Sequence, residues 1–181
     1  MKCLTKWLSA TLAIALMASS AAAADTVASG KIKSIDADSK TFVLTDNAKK
    51  DFTFKLGDNL VVNRAGKETK TGLKSGDWID VCYDKGVLTW TAHYILVREG
   101  TSKNCDLIRG NIKSYDADKQ ELSFTDEVKK DSTFTIGKAT VRLNMEDTKM
   151  ENVKIGDHAL LIVETVEGRP ILRSVMIDRA K

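Results

Sequence analysis

The chain has 181 residues, with 28 lysines and arginines against 25 aspartates and glutamates and a formal net charge of +3. Two of the basic residues, Lys2 and Lys6, lie in the first 24 residues, which contain no acidic residue, so residues 25–181 are nearly neutral. A nearly neutral protein has no long-range field that gathers nucleic acid or an anionic membrane. We therefore expect no nucleic-acid partner, and no membrane insertion once the first segment has been removed.

The first 24 residues have the pattern of a secretory signal peptide. Lys2 and Lys6 precede a short apolar run at 8–17, and Ala22 and Ala24 follow at the spacing that signal peptidase prefers. The apolar run is too short to cross a bilayer comfortably. We predict a cleaved signal peptide at 1–24, a first β-barrel repeat at 25–98 and a periplasmic or secreted protein.

Two cysteines remain after the leader, Cys82 and Cys105. Export and an even cysteine count predict one disulfide between them, because exported proteins meet an oxidising environment. On the chain-entropy model, a bridge across this short loop stabilises the fold by about 3 kcal/mol. The alternative is two separate thiols.

An internal repeat organises the chain. Residues 30–80 align with 110–160 at a constant offset of 80, with 19 identities in 51 positions. A polar linker at 99–108 separates the first repeat from a second one at 109–181. Each repeat is long enough for one small hydrophobic core.

Apolar residues alternate with polar ones in both repeats, with a period of two that is typical of strands. In the first repeat the alternation covers 41–45, 52–56 and 78–83, and turn residues such as those at 36–40 separate the segments. Several short strands in about 70 residues are typical of a small barrel. The predicted fold is all-β, with two tandem small antiparallel OB-like β-barrels.

The order of these segments resembles a known family. The second repeat reads G-x-I-K-x-x-D from Gly110 to Asp116 and K-M-x-x-x-K-x-G-D from Lys149 to Asp157, followed by a hairpin with Gly168. This order is similar to that of the small periplasmic copper-chaperone barrels (CusF-like), and the resemblance implies the barrel and the periplasm. That family places a His after its second strand and a W-x-x-M-x-M segment before the next, whereas this chain has TDNAKKD and TDEVKKD there.

We expect no cofactor, and the alternative is bound copper. A copper site in this chain would need ligands other than those of the family. The sequence offers His158 with Met145 or Met150 as candidates for a soft-metal site. The other interpretation of these three residues is that they are surface and packing residues.

One strand of the second repeat has apolar residues on its predicted outer face. Leu160 and Ile162 follow His158 there, and the first repeat has Trp78 at the position equivalent to His158. Apolar residues on an outer face need a cover. We predict that Leu160 and Ile162, together with Trp78, contribute to an interface with the other barrel, the linker or a second subunit.

The sequence contains none of the common catalytic motifs, such as G-x-S-x-G or H-E-x-x-H. We expect an exported, non-catalytic binding or interaction module of the cell envelope, with an envelope protein or a small ligand as partner. The alternative is a periplasmic copper-binding or copper-chaperone protein. A site assembled between the two domains would be the remaining route to an enzyme.

Overall fold

The computed structural model describes residues 25–179, so the predicted signal peptide lies outside the described residues. The strands of the first half are β1 (Asp25–Asp36), β2 (Thr41–Asp46), β3 (Asp51–Arg64), β4 (Lys67–Thr69), β5 (Trp78–Lys85) and β6 (Trp90–Val97). Those of the second half are β7 (Cys105–Asp116), β8 (Glu121–Asp126), β9 (Asp131–Leu143), β10 (Glu146–Thr148), β11 (His158–Val166) and β12 (Arg169–Ile177). Within residues 25–179 no helix is long and apolar enough to cross a membrane.

Each half of the chain closes into its own barrel. The first ring runs β1-β2-β3-β6-β5 and back to β1, and the second runs β7-β8-β9-β12-β11 and back to β7. The predicted all-β fold with two tandem barrels is confirmed. A ring with an odd number of strands cannot alternate direction throughout, so each barrel has one parallel pairing, β3 with β6 and β9 with β12.

The alternating apolar residues fill the two barrel interiors. In the first barrel Phe42 stacks on Phe54 with ring centroids 5.1 Å apart, and Leu44 is fully buried beside them. In the second barrel Leu122 and Phe124 are buried at the equivalent positions. The two barrels therefore exchange a large and a small side chain between neighbouring core positions, which conserves core volume.

A glycine begins the shared G-x-I-K segment because two strands approach closely there. A Cβ atom on Gly30 would lie 2.4 Å from the backbone oxygen of Thr45, and one on Gly110 would lie 2.1 Å from that of Thr125. No other residue fits such a close backbone approach without moving a strand. The same steric requirement therefore explains this glycine in both repeats.

The two barrels pack against each other through one apolar face each. A buried cluster, here called the interbarrel cluster, contains Cys82, Tyr94, Leu96, Cys105, Leu107, Leu160 and Ile162. The partly buried residues that pack against it are Val27, Val61 and Met176. Val27 and Leu107 are equivalent in the two repeats, as are Cys82 and Ile162, and Leu96 and Met176. Corresponding faces of the two barrels therefore meet.

Polar contacts complete this junction. Thr26 of β1 donates a hydrogen bond to Glu127, next to β8, over 2.8 Å. The backbone N–H of Leu107 donates to the carboxylate of Asp80 over 3.0 Å. Because each bond joins one barrel to the other, the relative position of the barrels is fixed by directional contacts as well as by apolar burial.

Candidate functional site

A cleft of about 730 Å³ lies where the two barrels meet. The first barrel contributes Asn59, Leu60, Val61, Glu68, Thr69, Lys70, Cys82, Asp84, His93 and Tyr94. The second contributes Arg109, Arg142, Met145, Leu160, Met176, Ile177 and Asp178. Neither barrel alone supplies both walls, so the cleft exists only because the barrels are docked.

The base of the cleft is apolar. Val61, Leu160 and Met176 line the cleft and also belong to, or pack against, the interbarrel cluster. Leu160 is 4% exposed, so the cleft ends on a well-packed surface. An apolar base with a few placed polar groups is the usual composition of a small-ligand site.

Tyr94 is the most buried polar side chain of the cleft. Its hydroxyl accepts a hydrogen bond from the amide of Asn63 over 3.0 Å and donates one to Glu68 over 3.0 Å. Burial raises the pKa of Tyr94 well above its ordinary range, so the hydroxyl keeps its proton and remains a donor. The neutral Tyr94 side chain is therefore a fixed part of the cleft wall and is unsuited to act as a base.

An ion pair crosses the cleft from one barrel to the other. Arg142 of β9 lies 2.5 Å from the carboxylate of Glu68 in β4, and it also contacts Asp147 over 3.3 Å. The hydrogen bond to Glu68 raises the pKa of the Arg142 guanidinium. Both side chains of the pair keep about a quarter of their surface exposed, so each still has hydrogen-bonding groups that face the solvent.

His93 forms a second side-chain pair in the cleft. Its Nε2 atom lies 2.7 Å from the carboxylate of Asp84, and both side chains are partly exposed. The equivalent pair in the second barrel is Arg173 with Glu164, so a guanidinium takes the place of the imidazole there. The imidazole in the cleft is therefore specific to the first barrel.

The three residues predicted as metal ligands occupy different environments. Met145 is 68% exposed and lines the cleft. Met150 is 8% exposed and belongs to the core of the second barrel. His158 is half-buried, and burial together with nearby Arg109 lowers its pKa. The structure therefore brings Met145, but neither Met150 nor His158, into the cleft.

The predicted interface residues are also separated. Leu160 and Ile162, which are 4% and 6% exposed, lie in the interbarrel cluster. Trp78 is 47% exposed and lines a separate groove on the first barrel. The first barrel thus covers the outward apolar residues of β11, and Trp78 does not contribute to this interface.

Cys82 of β5 and Cys105, the first residue of β7, both lie in the interbarrel cluster. Within the described part of the chain no disulfide joins them, so the structure holds the thiol alternative and not the predicted bridge. Burial raises the pKa of the Cys105 thiol, and nearby Glu164 adds to this effect. A raised pKa lowers the fraction of thiolate that disulfide exchange requires, so exchange at Cys105 is slow once the barrels have packed.

Sequence reasoning missed Tyr94, Glu68 and Arg142 as cleft residues. Each of them lies outside its own barrel core, and no motif marks it. The sequence did mark this region through Leu160 and Ile162, the two outward apolar residues of β11. Both lie in the interbarrel cluster, and Leu160 forms part of the apolar base of the cleft.

Comparison with known proteins gives a likeness of fold. No protein-family model matches the chain, and no curated protein matches it. The solved structure of apo-CusF from Escherichia coli is 17% identical, with a TM-score of 0.33, over 41% of this chain and 88% of that one. A copper(II) complex of a CusF tryptophan variant is 12% identical, with a TM-score of 0.33, over 45% of this chain and 100% of that one. Each match covers about one barrel of this chain, and at these identities the likeness to CusF is one of fold alone.

Proposed function

We propose that the protein is an exported, non-catalytic binding module of the cell envelope and that the interbarrel cleft is its ligand site. The observation that carries the proposal is the composition of the cleft, which joins an apolar base to a polar wall across two docked domains. Its volume of about 730 Å³ suits a small molecule or a short peptide.

The charges around the cleft favour a ligand that carries both signs. Lys70 and Arg142 are positive, and Asp84 and Asp178 are negative, while the base between them is apolar. A short peptide has an amino group, a carboxylate and apolar side chains, so it can satisfy all three features at once. We therefore propose a short amphipathic peptide as the ligand class.

The chemistry of the cleft supports binding without catalysis. Tyr94 is held protonated by burial and is already bonded to Asn63 and Glu68. Glu68 is engaged by Arg142, and His93 by Asp84. A general base has to reach a proton of the ligand, and both Tyr94 and Glu68 already hold other partners.

Export and oxidation form part of the same proposal. The signal-peptide pattern at 1–24 supports export of the chain and cleavage of this segment, followed by folding in an oxidising compartment. There a disulfide-bearing oxidant would exchange with Cys105 and Cys82, lose its own disulfide and leave a bridge between them. Their common place in the interbarrel cluster supports such a bridge, which would tie the linker to the first barrel.

A soft metal such as copper is the second candidate ligand, because a different set of donors lines the same cleft. His93, Met145, Met176 and Cys82 all contribute to its walls, and thioether and thiol sulfur atoms favour copper(I). Within residues 25–179 no cluster of three or more His, Cys, Asp or Glu residues is arranged to hold a metal. A copper site would therefore depend on the thioethers of Met145 and Met176.

The proposal is tested by ligand-observed NMR with pooled tripeptides on the wild type and on two arginine variants. Arg142→Met removes a cleft charge, whereas Arg173→Met removes a matched arginine of the second barrel that is paired outside the cleft lining. We expect the wild type and Arg173→Met to bind the same peptides, and Arg142→Met to bind them at least tenfold more weakly. Equal weakening in both variants, or no binding by the wild type, would contradict a peptide site in this cleft.

A further inference from the structure

A second concave surface lies on the first barrel. It is a groove of about 420 Å³ between β1, the turn that follows β2 and the loop that precedes β5. Trp78, at the start of β5, lines it and is 47% exposed. An indole ring exposed to this extent offers a broad, flat apolar surface to the solvent.

Cationic and amide donors surround this ring. Lys31 of β1 is the register partner of Trp78 in β5, so the two side chains lie side by side on the same face. Lys49 and Asn47 line the groove from the turn after β2. Among residues 25–179, the ammonium groups of Lys31 and Lys49 and the amide of Asn47 have no hydrogen-bond or ion-pair partner.

The other polar groups of the groove are already engaged. Lys33 pairs with Asp51 over 2.5 Å. The carboxylate of Asp46 accepts the backbone N–H of Lys50 over 2.8 Å, and the hydroxyl of Ser75 donates to the backbone oxygen of Lys33 over 2.8 Å. With Lys33 paired to Asp51, Lys31 and Lys49 face the single carboxylate of Asp46, so the groove keeps a net positive charge.

The second barrel shows that the fold does not require this chemistry. At the positions of Lys31, Asn47 and Trp78 it has Asn111, Glu127 and His158. Glu127 there accepts the hydrogen bond from Thr26 that helps to join the barrels. Both repeats fold into the same type of barrel. The fold therefore requires neither the indole ring of Trp78 nor the unpaired ammonium group of Lys31.

We propose that this groove is a binding site for an anionic saccharide. A sugar ring stacks on the indole of Trp78, and a carboxylate or phosphate of the sugar is bound by Lys31 and Lys49. Small OB-like barrels bind oligosaccharides and oligonucleotides through a face and its adjoining loops. Oligonucleotide sites stack successive bases on several aromatic rings, whereas this groove has one aromatic ring, which favours a saccharide.

Calorimetric titration of the purified protein with tetragalacturonate tests the proposal, with maltotetraose as the neutral control and mannose 6-phosphate as the phosphate form. We expect saturable binding of at least one of the two anionic sugars, weakened by added salt, and no binding of maltotetraose. The double variant Lys31→Asn/Trp78→His, which installs the residues of the second barrel, is expected to lose at least tenfold in affinity.

Two further measurements keep the result interpretable. The double variant must unfold at the same urea concentration as the wild type, and the Arg142→Met variant must bind the sugar as the wild type does, since the cleft is a separate site. If both anionic sugars bind in the groove, negative charge is what the site recognises. If only one of them binds, the site is specific for the acid group of that sugar, the carboxylate or the phosphate. Equal binding of maltotetraose, full affinity in Lys31→Asn/Trp78→His, tighter binding of a single-stranded oligonucleotide, or no binding of either anionic sugar would overturn the proposal.

Discussion

The carboxylate of Asp80 and the guanidinium of Arg98 form a two-pronged pair at the junction of the barrels, with the Arg98 Nη2 atom 2.8 Å from each carboxylate oxygen. The Asp80 side chain is 1% exposed, and it also accepts hydrogen bonds from the hydroxyl of Ser29 and the backbone N–H of Leu107. Arg98 in turn reaches Asp106 over 2.7 Å. A single buried carboxylate thus ties β5 to β1, to the residue after β6 and to the first strand of the second barrel.

Removing this carboxylate should be costly. Asp80→Ala leaves Arg98 without its buried partner and the N–H of Leu107 without its acceptor, so we expect a loss of about 3 kcal/mol in the free energy of unfolding. Urea denaturation followed by circular dichroism measures it. The control Arg173→Ala, which breaks a more exposed pair with Glu164, is expected to cost less than about 1 kcal/mol. Similar costs for the two variants would contradict the role given to Asp80.

Charging the interbarrel cluster should separate the barrels. Leu160→Asp places a carboxylate at a position that is 4% exposed, and we expect a loss of about 3 kcal/mol in unfolding free energy. The matched change Ile155→Asp lies at a position that is 78% exposed and should stay within about 0.5 kcal/mol. Small-angle scattering should show a larger radius of gyration for Leu160→Asp alone. An unchanged radius and unchanged stability would mean that the cluster does not hold the barrels together.

The barrel interiors were predictable from the sequence because a strand that is buried on one face alternates with a period of two. Phe42, Leu44 and Phe54 follow that rule, and all three are buried. The odd, closed ring, with its parallel pairing of β3 and β6, does not follow from the alternation, because a single sequence does not state which strands close the ring.

The cleft could not be predicted in the same way. Tyr94 and Met176 lie on the outer faces of different barrels, so their meeting depends on how the barrels dock and not on any local pattern. Leu160 and Ile162 gave the one usable signal, since apolar residues on an outer face need a cover. Trp78 shares the position of His158 in the repeat, but Trp78 lines an exposed groove whereas His158 is half-buried near Arg109, because equivalent positions in two docked barrels have different neighbours.

The oxidation state of the two cysteines can be read by alkylation. We expect protein recovered from the exported fraction to react with iodoacetamide, after unfolding, only when a reductant has been added, because Cys82 and Cys105 have formed a bridge. The bridge should add about 3 kcal/mol to the free energy of unfolding relative to the reduced protein. Alkylation of both thiols without reductant would show that the buried thiol form persists outside the cytoplasm.

His158 should make the fold sensitive to mild acid. Burial and nearby Arg109 lower the pKa of His158 in the folded protein, so the unfolded chain takes up the proton first as the pH falls below about 6.5. Stability is therefore lost from pH 7 downward until the folded pKa is reached. Urea denaturation at pH 7 and pH 5 should show a smaller loss in His158→Gln than in the wild type. Equal losses in the two proteins would contradict this assignment, because other titrating groups contribute alike to both.

The central claim, that the interbarrel cleft binds the ligand, is tested most directly by NMR of ¹³C-methyl methionine. Met145 and Met176 line the cleft, while Met150 lies in the core of the second barrel and serves as an internal control. Titration with the tripeptides found by ligand-observed NMR is predicted to shift the Met145 and Met176 signals and to leave Met150 unchanged, and a parallel titration with silver(I) tests the metal alternative on the same signals. Binding that leaves Met145 and Met176 unmoved, or that moves Met150 equally, would contradict the claim.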